Sequence, residues 1–329
     1  MPHTHVPRLI YDSAETSADL RYITQVLTPD PCLWFCIRNQ AYLIVSPLEY
    51  SRIKRSIQDA PVATTVMSTE EFTGSSHRNG PHHLIHAVSK RFKVFCWQVP
   101  FNFPLGLAAR LKRDGIHVRP KHDTPFFPER ILKTEREIEY IQAAQKMAEA
   151  GLAAAIDVLR QAQIDDGNNR ILWDDDVLTS ERLRAVIDRT VWDLGGLPLH
   201  TIVAGGKQSA DPHEMGHGPL PPHAPIVIDI FPRDRSTGYF GDLTRTVVKG
   251  EASPIVKQAF QAVREARDSA IQRLKPGVNA KAIHEHVKAV LSTHGFTTEL
   301  ASDPPRGFIH GTGHGVGLEI HEAPRVSSI

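Results

Sequence analysis

The first 125 residues alternate short apolar runs with amphipathic segments. Residues 31–37 (PCLWFCI), 41–46 (AYLIVS) and 92–100 (FKVFCWQVP) have the length and composition of β-strands, and residues 48–60 show helical spacing. Such alternation is typical of an α/β domain. Prolines and charges interrupt the pattern around residues 120–130, so we predict two domains, residues 1–125 and 126–329.

The second part begins with a strong helix signal. Thr134 and Glu137 form a T-x-x-E capping box ahead of a long apolar stripe, which predicts a long helix at the start of this domain. A further helical pattern covers about residues 178–194 and stops at the glycines and proline that follow. Two more helices are predicted to begin after Ser253 and Asn279, which are suitable N-cap residues.

Extended segments between these helices contain two aspartates. Residues 224–231 (APIVIDIF) and 238–248 (GYFGDLTRTVV), joined by PRDRST, predict a β-hairpin with its turn near residues 234–236. In that register Asp229 and Asp242 lie opposite each other, with Cβ atoms about 5 Å apart. Like charges there repel, and a buried unpaired carboxylate is costly, so a bound cation is favoured. The alternative is a structural aspartate that pairs with Arg233 or Arg245 or caps a turn.

Histidine is unusually frequent, with 18 residues, and the segment HGTGHGVGLEIHE places His310, His314 and His321 among glycines. Glycine disfavours a helix, so we expect a strand or loop in which imidazoles approach a ligand closely. Isolated histidines are more often structural, which is the competing interpretation. Two carboxylates with one imidazole suit Mn, Fe, Co or Zn, and facing carboxylates also suit a two-metal site.

Together these motifs resemble a known family. VIDI, GYFGDLTRT and HGTGHGVGLEIHE are similar to motifs of the creatinase and methionine aminopeptidase superfamily, most closely its Xaa-Pro aminopeptidase and prolidase branch. The resemblance is strong over about residues 130–329 and weaker before them. It implies a fold of class α/β + α+β, with a creatinase-type N-terminal domain followed by a pita-bread catalytic domain that lacks its last strands.

The resemblance also implies roles for individual residues. Asp229 binds one metal ion, Asp242 bridges two, and His314 binds the second; the expected pair is Mn²⁺, with Co²⁺, Zn²⁺ or Fe²⁺ as alternatives. His213, in ADPHEMGHG, matches the substrate-side histidine of the family. His310 and His321 match the histidines that contact the scissile peptide. The expected substrate is a peptide with proline in second position, and the relatives also suggest a homodimer.

The sequence departs from the family at two ligand positions. The family completes its site with two glutamates on later strands, and Glu319 and Glu322 do not match those positions. We therefore expect an incomplete pita-bread domain and weak metal binding. Two alternatives stay open: a catalytically inactive binding or scaffold protein that keeps the fold, and a creatinase-like hydrolase of non-peptide C–N bonds, which the retained metal-type residues disfavour.

Composition adds mainly exclusions. The formal net charge of +1 provides no field to attract nucleic acid or acidic membranes, so we predict neither partner. The sequence shows neither a signal-peptide pattern nor a long apolar stretch, which favours a cytoplasmic location. Cys32 and Cys36 lie in an apolar run without further cysteines nearby, so we expect them to be buried thiols rather than metal ligands.

Overall fold

The computed structural model describes residues 6–73, 80–122, 125–303 and 306–328. The described residues form two compact units, divided between Leu132 and Lys133. In the described part of the chain, no helix combines the length and the apolar composition that a membrane crossing requires.

The first unit is an α/β unit around a mixed sheet. Its described strands follow the order β4-β3-β2-β1-β5-β6. The β1–β2 and β2–β3 pairs are antiparallel, whereas the β3–β4, β1–β5 and β5–β6 pairs are parallel. The elements are β1 (Arg8–Asp12), α1 (Ala18–Thr24), β2 (Cys32–Ile37), β3 (Gln40–Val45), α2 (Pro47–Ser56), β4 (Thr64–Ser68), α3 (Glu70–Thr73), α4 (Pro81–Phe92), β5 (Cys96–Val99), α5 (Leu105–Arg113) and β6 (His117–Pro120).

Alternation along the strands explains why this sheet is covered on both faces. In β2, Trp34 packs in one core with residues of α1 and α2, whereas its neighbour Phe35 packs in the opposite core with residues of α4 and α5. A strand buried on both faces reads as a continuous apolar run, as PCLWFCI does. Cys32 and Cys36 are buried free thiols, as predicted.

The predicted strand over residues 92–100 is too long at its start. Phe92 is the last residue of α4, and Lys93 follows in the left-handed region with φ of 55°. The strand occupies only Cys96–Val99. Helix α4 itself was not recognised in the sequence, because its apolar end merges with the apolar strand that follows.

The second unit contains the predicted long helix and hairpin. Its elements are α6 (Glu135–Gln161), β7 (Gln163–Asp165), β8 (Arg170–Trp173), β9 (Asp176–Val177), α7 (Ser180–Asp193), β10 (Gly196–Leu197), β11 (Ile202–Gly205), β12 (Pro225–Ile230), β13 (Arg233–Asp234), β14 (Leu243–Val248), α8 (Pro254–Arg273), α9 (Ala280–Thr293), β15 (Gly313–Gly315) and β16 (Glu322–Val326).

The predicted helix starts are confirmed. The Thr134 hydroxyl accepts from the Glu137 amide at 3.3 Å, and the Glu137 carboxylate accepts from the Thr134 amide at 2.8 Å, which completes the capping box. Ser253 caps α8 and Asn279 caps α9. Each cap satisfies amide groups that the first helical turn leaves without an intrahelical partner.

The hairpin forms, but its register differs from the prediction. Strand β12 pairs antiparallel with β11 and β14, and the cross-strand partner of Asp229 is Thr244 rather than Asp242. The turn lies one residue later than predicted because the Asp234 side chain accepts hydrogen bonds from the Ser236 and Thr237 amides and closes the turn around them.

Candidate metal centre

Asp229 is held near the end of β12 by its cross-strand neighbour. The Thr244 hydroxyl donates to Asp229 Oδ1 at 2.6 Å, which fixes one carboxylate oxygen. Burial raises the pKa of Asp229, while the Thr244 hydrogen bond and the nearby His314 and His321 act in the opposite direction. This strand residue therefore carries a partly desolvated carboxylate that a positive charge would stabilise.

Asp242 immediately precedes β14 and is anchored to helix α6. Its amide donates to Gln145 Oε1 at 3.0 Å. The preceding Gly241 passes so close to α6 that a Cβ atom would lie 2.6 Å from the backbone oxygen of Ala144. A residue without a side chain is therefore required here, and its close approach sets the position of the Asp242 backbone.

The glycine-rich segment docks against this part of the hairpin. The Phe240 amide donates to the Gly317 carbonyl at 2.8 Å, and β15 pairs antiparallel with β16 with an irregularity after His314. His314 Nε2 lies 3.5 Å from Asp242 Oδ2, and the two side chains are 27% and 32% exposed. The ring of His321 meets the His314 ring edge-on, with centroids 4.4 Å apart.

The hydrogen bonding of His314 suits a metal ligand. Its Nδ1 lies 3.0 Å from the Gly315 carbonyl oxygen. A carbonyl oxygen only accepts, so Nδ1 carries the proton and, in the neutral ring, the lone pair of Nε2 faces the Asp242 carboxylate. Two acceptors facing each other call for a proton or a cation between them. Histidine ligands in metal sites commonly donate their other N–H to a backbone carbonyl in this way.

The two carboxylates also influence each other. Burial raises the pKa of Asp242, and the negative charge of Asp229 raises it further, whereas His314 lowers it. The predicted proximity of the two aspartates is therefore present electrostatically, although they are not directly opposed. Two carboxylates and an imidazole make a donor set that fits a divalent cation.

The donors are not gathered into a closed ligand cluster. Within the described residues, no group of three or more His, Cys, Asp or Glu side chains is placed so that it could hold a metal ion. Direct contact is shown for His314 with Asp242, and Asp229 is linked to them through electrostatic interactions. The chemistry of the donor set fits a divalent metal.

The three predicted substrate-side histidines have different surroundings. His321 has its pKa lowered by burial and then by the positive charges of His314, Arg325 and His213, so His213 lies within electrostatic range of this group. His213 is exposed, and its amide donates to Asp211 Oδ1 at 3.0 Å. His310 packs edge-on against Phe308, with ring centroids 4.7 Å apart.

Several neighbours of the centre were missed in the sequence. Thr244 could have been found, because it stands two residues after Asp242 in the quoted motif and therefore at the same strand periodicity. Gln145 comes from α6, and no sequence spacing connects it to the hairpin. Glu322, which the sequence analysis excluded as a ligand, accepts from Lys133 Nζ at 2.6 Å.

The sequence model of metallopeptidase family M24 matches residues 139–328. The chain belongs to this family. The match spans the hairpin and the glycine-rich segment, and it confirms the resemblance to the superfamily of creatinase-type metallopeptidases. M24 membership implies that the chain uses a divalent metal, which agrees with the donor set of the candidate centre.

Curated relatives carry the name Xaa-Pro dipeptidase. The chain is 30% identical over 236 residues to a Xaa-Pro dipeptidase of Pyrococcus horikoshii, covering 69% of this chain and 58% of that protein. It is 31% identical over 207 residues to a Xaa-Pro dipeptidase of Pyrococcus furiosus, covering 60% of this chain and 51% of that protein. The chain thus spans about half the length of the curated relatives it matches.

Solved structures confirm the predicted fold. The prolidase of Pyrococcus furiosus superposes with a TM-score of 0.76 at 23% identity, covering 98% of this chain and 83% of that one. A Xaa-Pro dipeptidase of Bacillus anthracis gives a TM-score of 0.77 at 18% identity, covering 98% of this chain and 80% of that one. The creatinase-type and pita-bread architecture predicted from the sequence is therefore present.

Proposed function

We propose that this chain is a metallopeptidase that hydrolyses peptide bonds preceding proline, as a Xaa-Pro dipeptidase or aminopeptidase. The contact between His314 Nε2 and Asp242 Oδ2, beside the partly desolvated Asp229, is the observation that supports it most directly. The names of the curated relatives support the proline specificity.

In this proposal Asp229, Asp242 and His314 hold divalent metal, most simply two Mn²⁺ ions, with Co²⁺, Zn²⁺ or Fe²⁺ as alternatives. A metal ion held by these residues would supply Lewis-acid chemistry and an activated water nucleophile for hydrolysis of the bond preceding proline. The lowered pKa of His321 keeps its imidazole neutral near pH 7, and a neutral ring can donate a hydrogen bond to the oxygen on which charge develops. His213 and His310 are the further predicted substrate contacts.

Other expectations remain predictions. They are the domain limits of 1–125 and 126–329, a homodimer, a cytoplasmic location, and the absence of nucleic-acid and membrane partners. The choice of manganese also belongs here, because the donor set accommodates several first-row metals.

The test compares Xaa-Pro with Xaa-Ala dipeptide hydrolysis, and longer peptides with proline second, in buffers with and without Mn²⁺. It uses the 329-residue chain and a version that continues to the next stop codon of its reading frame. Metal-dependent cleavage of the proline substrate by either form supports the proposal, and activity confined to the longer form would place further metal ligands in the added residues. If neither form bound metal or cleaved peptide, the proposal would be abandoned.

A competing function is a non-catalytic binding protein with the same fold. It is favoured by one observation: the described residues contain no group of three or more donors placed to hold a metal ion. This alternative predicts binding of a proline-containing peptide without turnover in both forms of the chain, whereas the enzyme proposal predicts turnover that depends on added metal.

A further inference from the structure

His284 is a buried imidazole outside the candidate centre. It lies on α9, and its side chain is almost fully enclosed, with 5% of the residue exposed. The adjacent Ile283 and the later Val287 pack with alanines of α8, which fixes the helix that carries His284. A polar ring buried on a fixed helix requires a defined hydrogen-bond partner.

That partner belongs to the glycine-rich segment. His284 Nδ1 lies 2.9 Å from Thr312 Oγ1, and the Thr312 amide donates to the Val326 carbonyl at 2.7 Å. Thr312 is therefore held by α9 through its side chain and by the end of β16 through its backbone. It stands two residues after His310 and two residues before His314.

The ring of His284 also supports the start of this segment. It packs on Phe308 with centroids 5.4 Å apart, and Phe308 in turn meets the edge of His310 at 4.7 Å. Burial lowers the pKa of His284, and the neighbouring Lys288 and His310 charges act in the same direction against Glu285, so the ring is neutral near pH 7. A neutral ring can remain buried without a counter-ion.

The segment has a physical need for such a support. Gly311 and Gly313 flank Thr312, and glycine loses more conformational freedom on ordering than any other residue. We propose that His284 is a positioning residue, which through Thr312 and Phe308 holds the orientation of His310 and His314. Its consequence for metal affinity rests on the proposed function, whereas its effect on the conformation of the segment does not.

The first experiment records imidazole ¹H–¹⁵N NMR spectra of the metal-free chain, with His310 and His314 assigned through their glutamine variants. His284→Leu and Thr312→Val are expected to shift both signals, and His284→Asn, which keeps a polar atom near the Nδ1 position, is expected to restore them in part. His286→Leu is the matched control. It lies on the same helix, and its Nε2 is 3.2 Å from Ser269 Oγ on α8, so its loss perturbs the helix pair rather than Thr312.

The second experiment measures Mn²⁺ affinity by calorimetry with the same variants. Loss of a supporting contact around a metal ligand typically weakens metal affinity about 10- to 100-fold, and we expect a loss in this range for His284→Leu and Thr312→Val but not for His286→Leu. The effects of His284→Leu and Thr312→Val on Mn²⁺ affinity should not add in the double variant, because both substitutions remove the same contact.

Unchanged His310 and His314 signals in His284→Leu would overturn the positioning role. If that variant failed to fold, Thr312→Val would decide in its place, because it removes only the hydroxyl partner. If the unsubstituted chain bound no Mn²⁺, the proposed function would fail, and the NMR comparison would still decide the role of His284.

Discussion

Lys133 and Glu322, 189 positions apart in the sequence, form an ion pair with Nζ 2.6 Å from Oε2. Their side chains are only 15% and 6% exposed. Lys133 directly precedes the capping box of α6, and Glu322 directly follows His321, so the pair ties the start of the helix to the strand that leaves the candidate centre. The Glu319 amide also donates to Glu322, at 3.1 Å.

Breaking this pair should be strongly destabilising. Lys133→Met removes the ammonium group that lies 2.6 Å from the buried Glu322 carboxylate, and we expect the free energy of unfolding to fall by about 3–5 kcal/mol. Urea denaturation followed by circular dichroism measures the loss. Arg160→Met is the control, because its ion pair with Asp157 is largely exposed and should contribute less than about 1 kcal/mol. Equal effects of the two substitutions would contradict the structural role of Lys133.

Gly241 should not tolerate even a methyl group. A Cβ atom there would lie 2.6 Å from backbone atoms of Ala144 and Gln145, so Gly241→Ala must displace the hairpin from α6. We expect a loss of about 1–3 kcal/mol in the free energy of unfolding, the usual range for overpacking. Gly106→Ala is the matched control, since its Cβ meets nothing within 4 Å and alanine favours the helix α5. An unchanged free energy of unfolding in Gly241→Ala would contradict the close approach of the hairpin to α6.

The hairpin turn should make stability depend on pH. Burial acts to raise the pKa of Asp234, but hydrogen bonds from Ser236 and Thr237 outweigh it, so the folded-state pKa lies below its ordinary value. A depressed carboxyl pKa contributes stability above the unfolded value, about 3.9, and this contribution is lost as pH falls through the folded value. Asp234→Asn keeps an acceptor oxygen but not the charge.

The free energy of unfolding, measured from pH 7 to pH 3, should therefore differ most between the unsubstituted chain and Asp234→Asn at pH 7. The difference should shrink as the solution is acidified through the folded-state pKa. A difference that stayed constant with pH would mean that the charge of Asp234 does not contribute to the turn.

Local signals predicted much of the second unit. Thr134, Ser253 and Asn279 cap helices as expected, because capping depends on neighbours within one turn. The hairpin was predicted from its apolar strands and polar connection. Its register was missed, since it depends on how the Asp234 side chain closes the turn, and the apolar pattern is unchanged when one strand slips by two residues relative to the other.

The centre itself was only partly predictable. Proximity of Asp242 and His314 followed from matching motifs. The contacts of Gln145 with Asp242 and of Lys133 with Glu322 did not, because no local spacing reveals them. In the sequence, His284 likewise looks like an ordinary histidine on the apolar face of a helix. Its partner Thr312 is 28 positions away, and only the packing of α9 against the glycine-rich segment connects them.

Metal binding by the two aspartates and His314 is tested most directly by a Mn²⁺ calorimetric isotherm of the 329-residue chain and of Asp242→Ala. We predict weak binding by the unsubstituted chain, loss of that binding in Asp242→Ala, and no change in Asp193→Ala, which removes an exposed carboxylate at the end of α7. An isotherm that Asp242→Ala left unchanged would contradict the assignment of this carboxylate as a metal ligand.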